Sequence, residues 1–228
     1  MRAPVSIIIP TLNAETELPQ TLSALGPGLD RGLIRELVIT DGGSIDKTKE
    51  IAYQAGAIWE CGPPGRGGQL CRGALRAQGD WLLFLHADTR LDPDWPLEVE
   101  AHISAGAEAR ELAAYFRLRF RAQGLAPYLV AHWANLRSRL FGLPYGDQGL
   151  LISRTLYDAI GGYPDIALME DVAITRKLKG RLRKLDAKAH TGAERYLRNG
   201  WVRQGANNLF KLLQYLCGRD TNQLAKRY

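Results

Sequence analysis

Over residues 1–90 the apolar positions fall in short runs separated by amphipathic stretches. Val5–Ile9, Leu37–Thr40, Ala57–Cys61 and Trp81–His86 are apolar, β-branched or aromatic runs, and they predict buried parallel strands. Between them Glu15–Leu25, Asp46–Ala55 and Gly68–Gln78 carry apolar residues at helical spacing. Strand and helix alternating at this interval predict βαβ units with right-handed crossovers. The functional loops of such a sheet lie at the carboxyl ends of its strands.

Beyond residue 90 the pattern is less regular. Ala113–Phe120 and Gly149–Ser153 read as strands, and Pro127–Leu140 and Met169–Leu178 as helices. A long helix is expected from Glu194 to about Leu216, with Tyr196, Trp201, Leu209, Leu212, Leu213 and Leu216 supplying its apolar face. No internal repeat, low-complexity tract or linker interrupts the 228 residues, so one α/β domain is the simplest organisation.

Composition narrows the class. Hydrophobic residues at 46% and charged residues at 24% describe an ordinary globular chain. Cys61, Cys71 and Cys217 are an odd set without CxxC spacing, which argues against a disulfide framework or zinc site and fits a reducing compartment. The apolar run at Val5–Ile9 ends at Pro10, too short for a signal peptide, and no later run approaches a membrane span. A cytoplasmic protein is expected.

Charge is unevenly distributed. From Val172 to Tyr228 there are 14 Lys+Arg against 3 Asp+Glu, whereas Met1–Asp171 carries 16 against 21. A basic C-terminal quarter suits an anionic partner such as a diphosphate or an acidic lipid surface. It shows no interleaved aromatic pattern for stacking bases, so nucleic acid is not expected.

Polar residues cluster where the strands should end. Pro10-Thr11-Leu12-Asn13 follows the first strand and Asp41-Gly42-Gly43-Ser44 the second. An acidic residue there can accept hydrogen bonds from a ribose or base edge, while Ser44 or Asp46 can cap the next helix. His86-Ala87-Asp88 ends the fourth run, and two residues apart on a strand would put His86 and Asp88 on one face. An Asp so placed can hold Mg²⁺ or Mn²⁺ against a diphosphate. Glu170-Asp171 opens a helical stretch, where a carboxylate suits the helix dipole and could also serve as a general base. His102 and His132 read as packing or surface residues.

In order, the series Val-Ser-Ile-Ile-Ile-Pro-Thr-Leu-Asn, Asp-Gly-Gly-Ser-x-Asp-x-Thr, Leu-Phe-Leu-His-Ala-Asp-Thr and Glu-Asp resembles glycosyltransferase family two, with the GT-A fold. Gly65-Arg66-Gly67-Gly68-Gln69, Gly146-Asp147-Gln148-Gly149, Leu168-Met169-Glu170-Asp171 and Leu224-Ala225-Lys226-Arg227-Tyr228 resemble a subset of small bacterial members of unsettled acceptor. The resemblance implies a mostly parallel sheet with flanking helices, a Rossmann-like nucleotide-binding half at 1–90, an acceptor half at 91–193 and C-terminal helices at 194–228. It also implies inverting transfer from a nucleoside-diphosphate sugar, UDP favoured over GDP, with Mn²⁺ or Mg²⁺.

By the same resemblance, Pro10, Thr11, Leu12, Asp41, Arg66, His86 and Ala87 would surround the nucleotide, and Asp88 would hold the metal. His86 and His190 are further metal candidates, His190 on a loop before the final helix. Asp171 would be the general base, Asp147, Gln148 and Glu170 would meet the acceptor, and Arg195 would contact the diphosphate. His86 stands where most of the wider family has Asp, and Ala14 where many relatives have Glu. Two other readings compete. A nucleotidyltransferase would need a basic Gly-rich loop after the first strand, and Pro10–Glu17 has no Lys or Arg. A non-catalytic basic module for nucleic acid or acidic membrane would leave the acidic motifs unexplained.

Overall fold

A computed structural model of the chain describes residues 3–219 and 221. The strands are β1 (Val5–Thr11), β2 (Ile34–Asp41), β3 (Ile58–Cys61), β4 (Trp81–Phe84), β5 (Arg90–Leu91), β6 (Ala113–Phe120), β7 (Leu150–Ser153) and β8 (Leu182–Thr191). They form one sheet in the order β3-β2-β1-β4-β7-β6-β8-β5. The helices are α1 (Leu18–Ser23), α2 (Gly26–Asp30), α3 (Thr48–Gln54), α4 (Arg66–Arg76), α5 (Trp95–Ile103), α6 (Leu125–Phe141), α7 (Arg154–Ala159), α8 (Glu170–Lys177), α9 (Glu194–Asn199) and α10 (Trp201–Leu216).

The first four strands in the sheet order are parallel, as the βαβ pattern predicts. Beyond them the sheet is mixed. β7 runs antiparallel to β4 and β6, β8 parallel to β6, and β5 antiparallel to β8. Four of the seven strand pairings are thus parallel, three of them in the first half of the chain, where helical crossovers return each strand in the same direction.

β1 is the spine of the core and is buried at every position. Its side chains alternate between two clusters. Val5, Ile7 and Ile9 pack with Leu18, Trp81, Leu83 and Trp95, and Ile8 packs with Val38, Leu70, Leu82 and Phe84. Complete burial of each such aliphatic side chain stabilises the fold by about 1.5–3 kcal/mol. α4 seats directly on this strand because Gly73 has no side chain. A Cβ there would collide with Ile8 and press on Thr40.

Several boundaries differ from the sequence pattern for local reasons. The stretch Glu15–Leu25 gives one short helix, beginning only at Leu18, and α2 starts just beyond it at Gly26. Ala14 and Glu15 instead donate their N–H groups to Thr48 Oγ1 and Asp46 Oδ2, tying the chain to the β2–α3 loop. β4 ends at Phe84, so His86 and Asp88 lie in a turn closed by Thr89 N–H on the His86 carbonyl. They do not share a strand face. The long C-terminal helix breaks at Gly200, whose φ of 80° is outside the helical region. Of its expected apolar face, Leu212 is buried while Leu209, Leu213 and Leu216 are exposed. The chain's last five residues, Leu224–Tyr228, lie outside the described residues.

Candidate active site

A cleft of roughly 790 Å³ opens beyond the carboxyl ends of the parallel strands. One wall is the β1–α1 loop, Pro10 to Ala14, with Gly65 and Arg66 at the start of α4. His86, Ala87 and Asp88 form the floor, and Asp147, Glu170 and Asp171 stand opposite. α6, α9 and α10 close the remaining side with Arg137, Arg195 and Lys211. Most of the residues picked from the sequence converge here; Asp41, Gln148 and His190 do not line the cleft.

Asp41 is buried one layer below the surface of the cleft. Its carboxylate accepts from Thr11 Oγ1 at 2.8 Å, Ser44 Oγ at 2.5 Å, and the N–H groups of Gly43 and Ser44 at 2.7 and 2.6 Å. The Thr11 bond joins paired strand positions, because Thr11 lies opposite Asp41 in the β1–β2 register, and the other three come from the loop that follows β2. Its carboxylate thus ties together the loops that wall the cleft. Gln69, the last residue of the Gly65–Gln69 motif, makes a second clamp. Its Nε2 donates to the carbonyls of Thr11 at 2.8 Å and Thr40 at 2.7 Å. Asn13 takes a positive φ of 50° and accepts from Ile45 N–H at 3.0 Å, completing the link between the two loops.

Arg66 sits at the first turn of α4, close to three acidic groups. It donates to Glu170 at 3.3 Å and feels the charges of Asp171 and Asp88. α4 can approach this closely because Gly67 and Gly68 lack side chains; a Cβ on Gly67 would strike the backbone of Pro164–Ile166. Glu170 is almost fully buried. Burial first, then the neighbouring Asp171 charge, pushes its carboxyl up to about 7, while Arg66 opposes the shift. Asp171 accepts from Gly146 N–H at 2.9 Å and from its own helix at Val172 N–H, 2.7 Å.

Burial, with Arg66 and Arg195 nearby, holds the His86 imidazole well below its usual range, so it is neutral near pH 7. Burial raises the Asp88 carboxyl, and Arg66 and Arg121 offset part of that rise. Among the described residues no three His, Cys, Asp or Glu side chains gather as a metal cage. That donor set still fits Mg²⁺ or Mn²⁺, hard cations that take one or two carboxylates and complete their shell with substrate phosphates and water. Asp88 in the cleft, with neutral His86 beside it, supplies such a partial shell. His190 does not. It lies on β8 rather than on a loop, and its Nε2 bonds Asp92 Oδ1 at 2.5 Å.

Gln148 is completely buried. It accepts from Ser138 Oγ at 2.6 Å and donates to the Phe116 carbonyl at 3.1 Å, so it braces the loop bearing Asp147 from below the cleft surface. Asp147 itself borders the cleft, and burial pushes its carboxyl up to about 6. Sequence reasoning did not single out Arg137 or Tyr145, whose side chains stack 3.5 Å apart on this wall. Nor did it single out Glu17, which lines the cleft and pairs with Arg90 and Arg121. His102 packs edge-on against Trp81 and His132 lies exposed beside Tyr128, as expected of packing or surface residues. Tyr196 and Trp201 pack on Phe120, although Tyr196 also borders the cleft.

Residues 6–110, which carry the first three motifs and most of the nucleotide-side wall, match the family model described as Glycosyl transferase family 2. Among curated relatives, glucosyl-3-phosphoglycerate synthase of Mycolicibacterium smegmatis is 35% identical over 99 residues, covering 40% of this chain and 32% of that protein. The match thus spans about a third of that relative. Among solved structures, S. aureus TarS 1–349 superposes with a TM-score of 0.64 at 16% identity, covering 93% of this chain and 64% of that one. Glucosyl-3-phosphoglycerate synthase from Mycobacterium tuberculosis, in complex with Mn²⁺, UDP and phosphoglyceric acid, superposes with a TM-score of 0.62 at 20% identity. That match covers 94% of this chain and 78% of that one. At these identities the structural likeness establishes the fold, a mixed α/β sheet flanked by helices.

Proposed function

We propose that the chain is a metal-assisted glycosyltransferase that moves a sugar from a UDP-sugar to an acceptor hydroxyl with inversion. One observation carries the reading: Arg66, Asp88 and Asp171 meet in a single cleft beyond the strand ends of a family 2 domain. Pro10, Thr11 and Leu12 border the space for the nucleotide, and Asp41 and Gln69 hold that wall in place. Asp88 would hold Mn²⁺ or Mg²⁺, which neutralises charge on a leaving diphosphate. Arg66 and Arg195 add fixed positive charge at the same end. UDP is favoured by the UDP complexes of the structural neighbours.

Asp171 takes the acceptor proton in this reading, and Asp147 and Glu170 orient the acceptor. A carboxylate on the side of the sugar away from the diphosphate makes direct displacement inverting. Cleft walls formed by residues 1–90 on one side and 91–193 on the other support a single domain over the chain. The β1–α1 loop from Pro10 to Glu17 has no Lys or Arg, which disfavours a triphosphate-binding nucleotidyltransferase. No helix among the described residues is long and apolar enough to cross a membrane. Exposed Phe210 and Leu213 on α10, with Arg198 and Arg203 nearby in sequence, support peripheral contact with an anionic membrane surface.

The deciding measurement is calorimetry with UDP and GDP, each with and without Mn²⁺, followed by assay of UDP-sugar turnover. Metal-strengthened UDP binding is expected. Absence of nucleotide binding under every condition would end the transferase reading.

A further inference from the structure

Arg137 is a buried cation that has no ion-pair partner among the described residues. It stands on α6 at the cleft wall with 9% of its surface exposed. Its Nε donates to the Leu143 carbonyl at 3.2 Å, and the guanidinium lies 3.5 Å above the Tyr145 ring centroid. Among the described residues its Nη2 has no hydrogen-bond partner, and it joins none of the ion pairs that engage Arg66, Arg90 and Arg121. A fixed, buried guanidinium without a counter-charge is costly unless something that binds the cleft supplies one.

Asp147 is its counterpart. Its Oδ1 is buried and also lacks a hydrogen-bond partner among the described residues. The Arg137 charge acts on Asp147, yet the two side chains form neither a hydrogen bond nor an ion pair. The cleft therefore presents a separated cation and carboxylate, both with unused hydrogen-bonding capacity. They lie beside the proposed base, because Gly146 donates its N–H to Asp171.

The cations of the cleft divide into two groups. Arg66 and Arg195 act on His86 at the metal end. Arg137 acts on Tyr145, Asp147 and Tyr196, and on Asp147 it outweighs Arg66. Diphosphate binding accounts for the first group and leaves Arg137 without a function.

We propose that Arg137 binds an anionic group of the acceptor while Asp147 takes a hydroxyl of the same molecule, so that the acceptor is an anionic hydroxy compound carrying a carboxylate or phosphate. The inference rests on the transferase reading above. A guanidinium offers paired donors matched to the oxygens of either anion, which a neutral polyol cannot exploit as fully. An ionised Asp147 accepts from a hydroxyl and repels the anionic group, so the two residues fix the direction in which the molecule lies. That direction brings the hydroxyl to the Asp171 side.

The test is calorimetry on the full chain preloaded with UDP and Mn²⁺, using inorganic phosphate, glyceric acid, phosphoglyceric acid and glycerol as probes. Glyceric acid or phosphoglyceric acid should bind at least about 10-fold more tightly than glycerol, and the two acids separate carboxylate from phosphate recognition. Arg137→Gln should weaken the preferred acid by about 10- to 100-fold, the range for a lost hydrogen bond to a charged group. Arg137→Lys should restore part of the loss, and neither variant should change UDP–Mn²⁺ affinity. Equal affinity for glyceric acid, phosphoglyceric acid and glycerol overturns the inference in the wild-type protein, whether or not the variants fold. So does an Arg137→Gln variant that keeps full affinity for the acids, or one that loses UDP in parallel and so belongs to the donor site. Failure of the wild-type chain to bind UDP with Mn²⁺ removes the transferase reading and the inference together.

Discussion

Asp171 Oδ2 accepts a hydrogen bond from the backbone N–H of Gly146 at 2.9 Å, joining the first turn of α8 to the loop that carries Asp147. The contact fixes the proposed base relative to the acceptor side of the cleft. It also explains the glycine. A Cβ at residue 146 would overlap the His86 ring, so the loop could not approach the metal end so closely.

Asp171→Asn tests the base directly. The amide still accepts one backbone hydrogen bond but cannot take a proton from a hydroxyl. Transfer should fall by ~10²–10⁴-fold, the usual contribution of a positioned general base. UDP–Mn²⁺ affinity should be unchanged. Steady-state kinetics with separate donor-binding calorimetry distinguish this from a structural role. Near-normal turnover, or a product that retains the anomeric configuration, would remove Asp171 from the mechanism.

Asp88→Ala should abolish the gain in UDP affinity that Mn²⁺ brings, while leaving metal-free binding nearly as it was. His86→Asp should preserve metal-dependent binding, since it adds a carboxylate beside Asp88. Titrations of UDP at several Mn²⁺ concentrations give both answers. Full Mn²⁺ enhancement in Asp88→Ala would put the metal elsewhere.

The parallel half of the sheet and the cleft motifs were legible because each strand was a continuous apolar run followed by polar residues. β8 was not. Its buried residues are Leu185, Ala187, Ala189 and Thr191, separated by Asp186, Lys188 and His190, and small alanines make a weak apolar signal. That omission put His190 on a loop and made it look available to a metal. Asp41 was correctly placed at a strand end. Whether its carboxylate faces ligand or loop depends on Ser44 and Thr11, which only the folded register brings together. Arg137 was hidden for a related reason: nothing along a helix marks an arginine whose counter-charge is missing.

Asp147 should make the stability of the ligand-free protein depend on pH. Its folded carboxyl is pushed up to about 6 from the ordinary 3.8, so the folded state holds a proton that the unfolded state has released. Stability from this group is complete below about pH 3.8, and it declines as pH rises through about 6. Asp147→Asn removes that decline. After allowance for the part-exposed residue as a whole, the variant should be about 1–3 kcal/mol more stable than wild type at pH 8 and nearly equal at pH 4. Urea midpoints at the two pH values measure the difference. A gain of the same size at both would mean that ionisation of Asp147 plays no part.

The exposed sides of α6 and α10 lead to the last prediction. The two helices pack together, and their outer residues include Leu129, Trp133 and Leu140 on α6 and Val202, Phe210 and Leu213 on α10. Arg139 and Arg203 are exposed on the same helices, with Arg198 just before α10. Apolar side chains bordered by basic ones match an interface with anionic headgroups, where each Lys or Arg near the surface contributes about 1 kcal/mol. Trp133 and Leu209 also border the cleft, so a docked membrane would lie next to the opening for the acceptor. The protein should sediment with vesicles containing phosphatidylserine and much less with phosphatidylcholine alone, and raising the salt should release it. Phe210→Glu places a charge on an already exposed position, so the fold should be unaffected while vesicle binding falls several-fold. UDP binding by the same variant should be normal, which separates surface contact from the donor site. Equal recovery in the supernatant with both vesicle types at low salt would remove the membrane from this account.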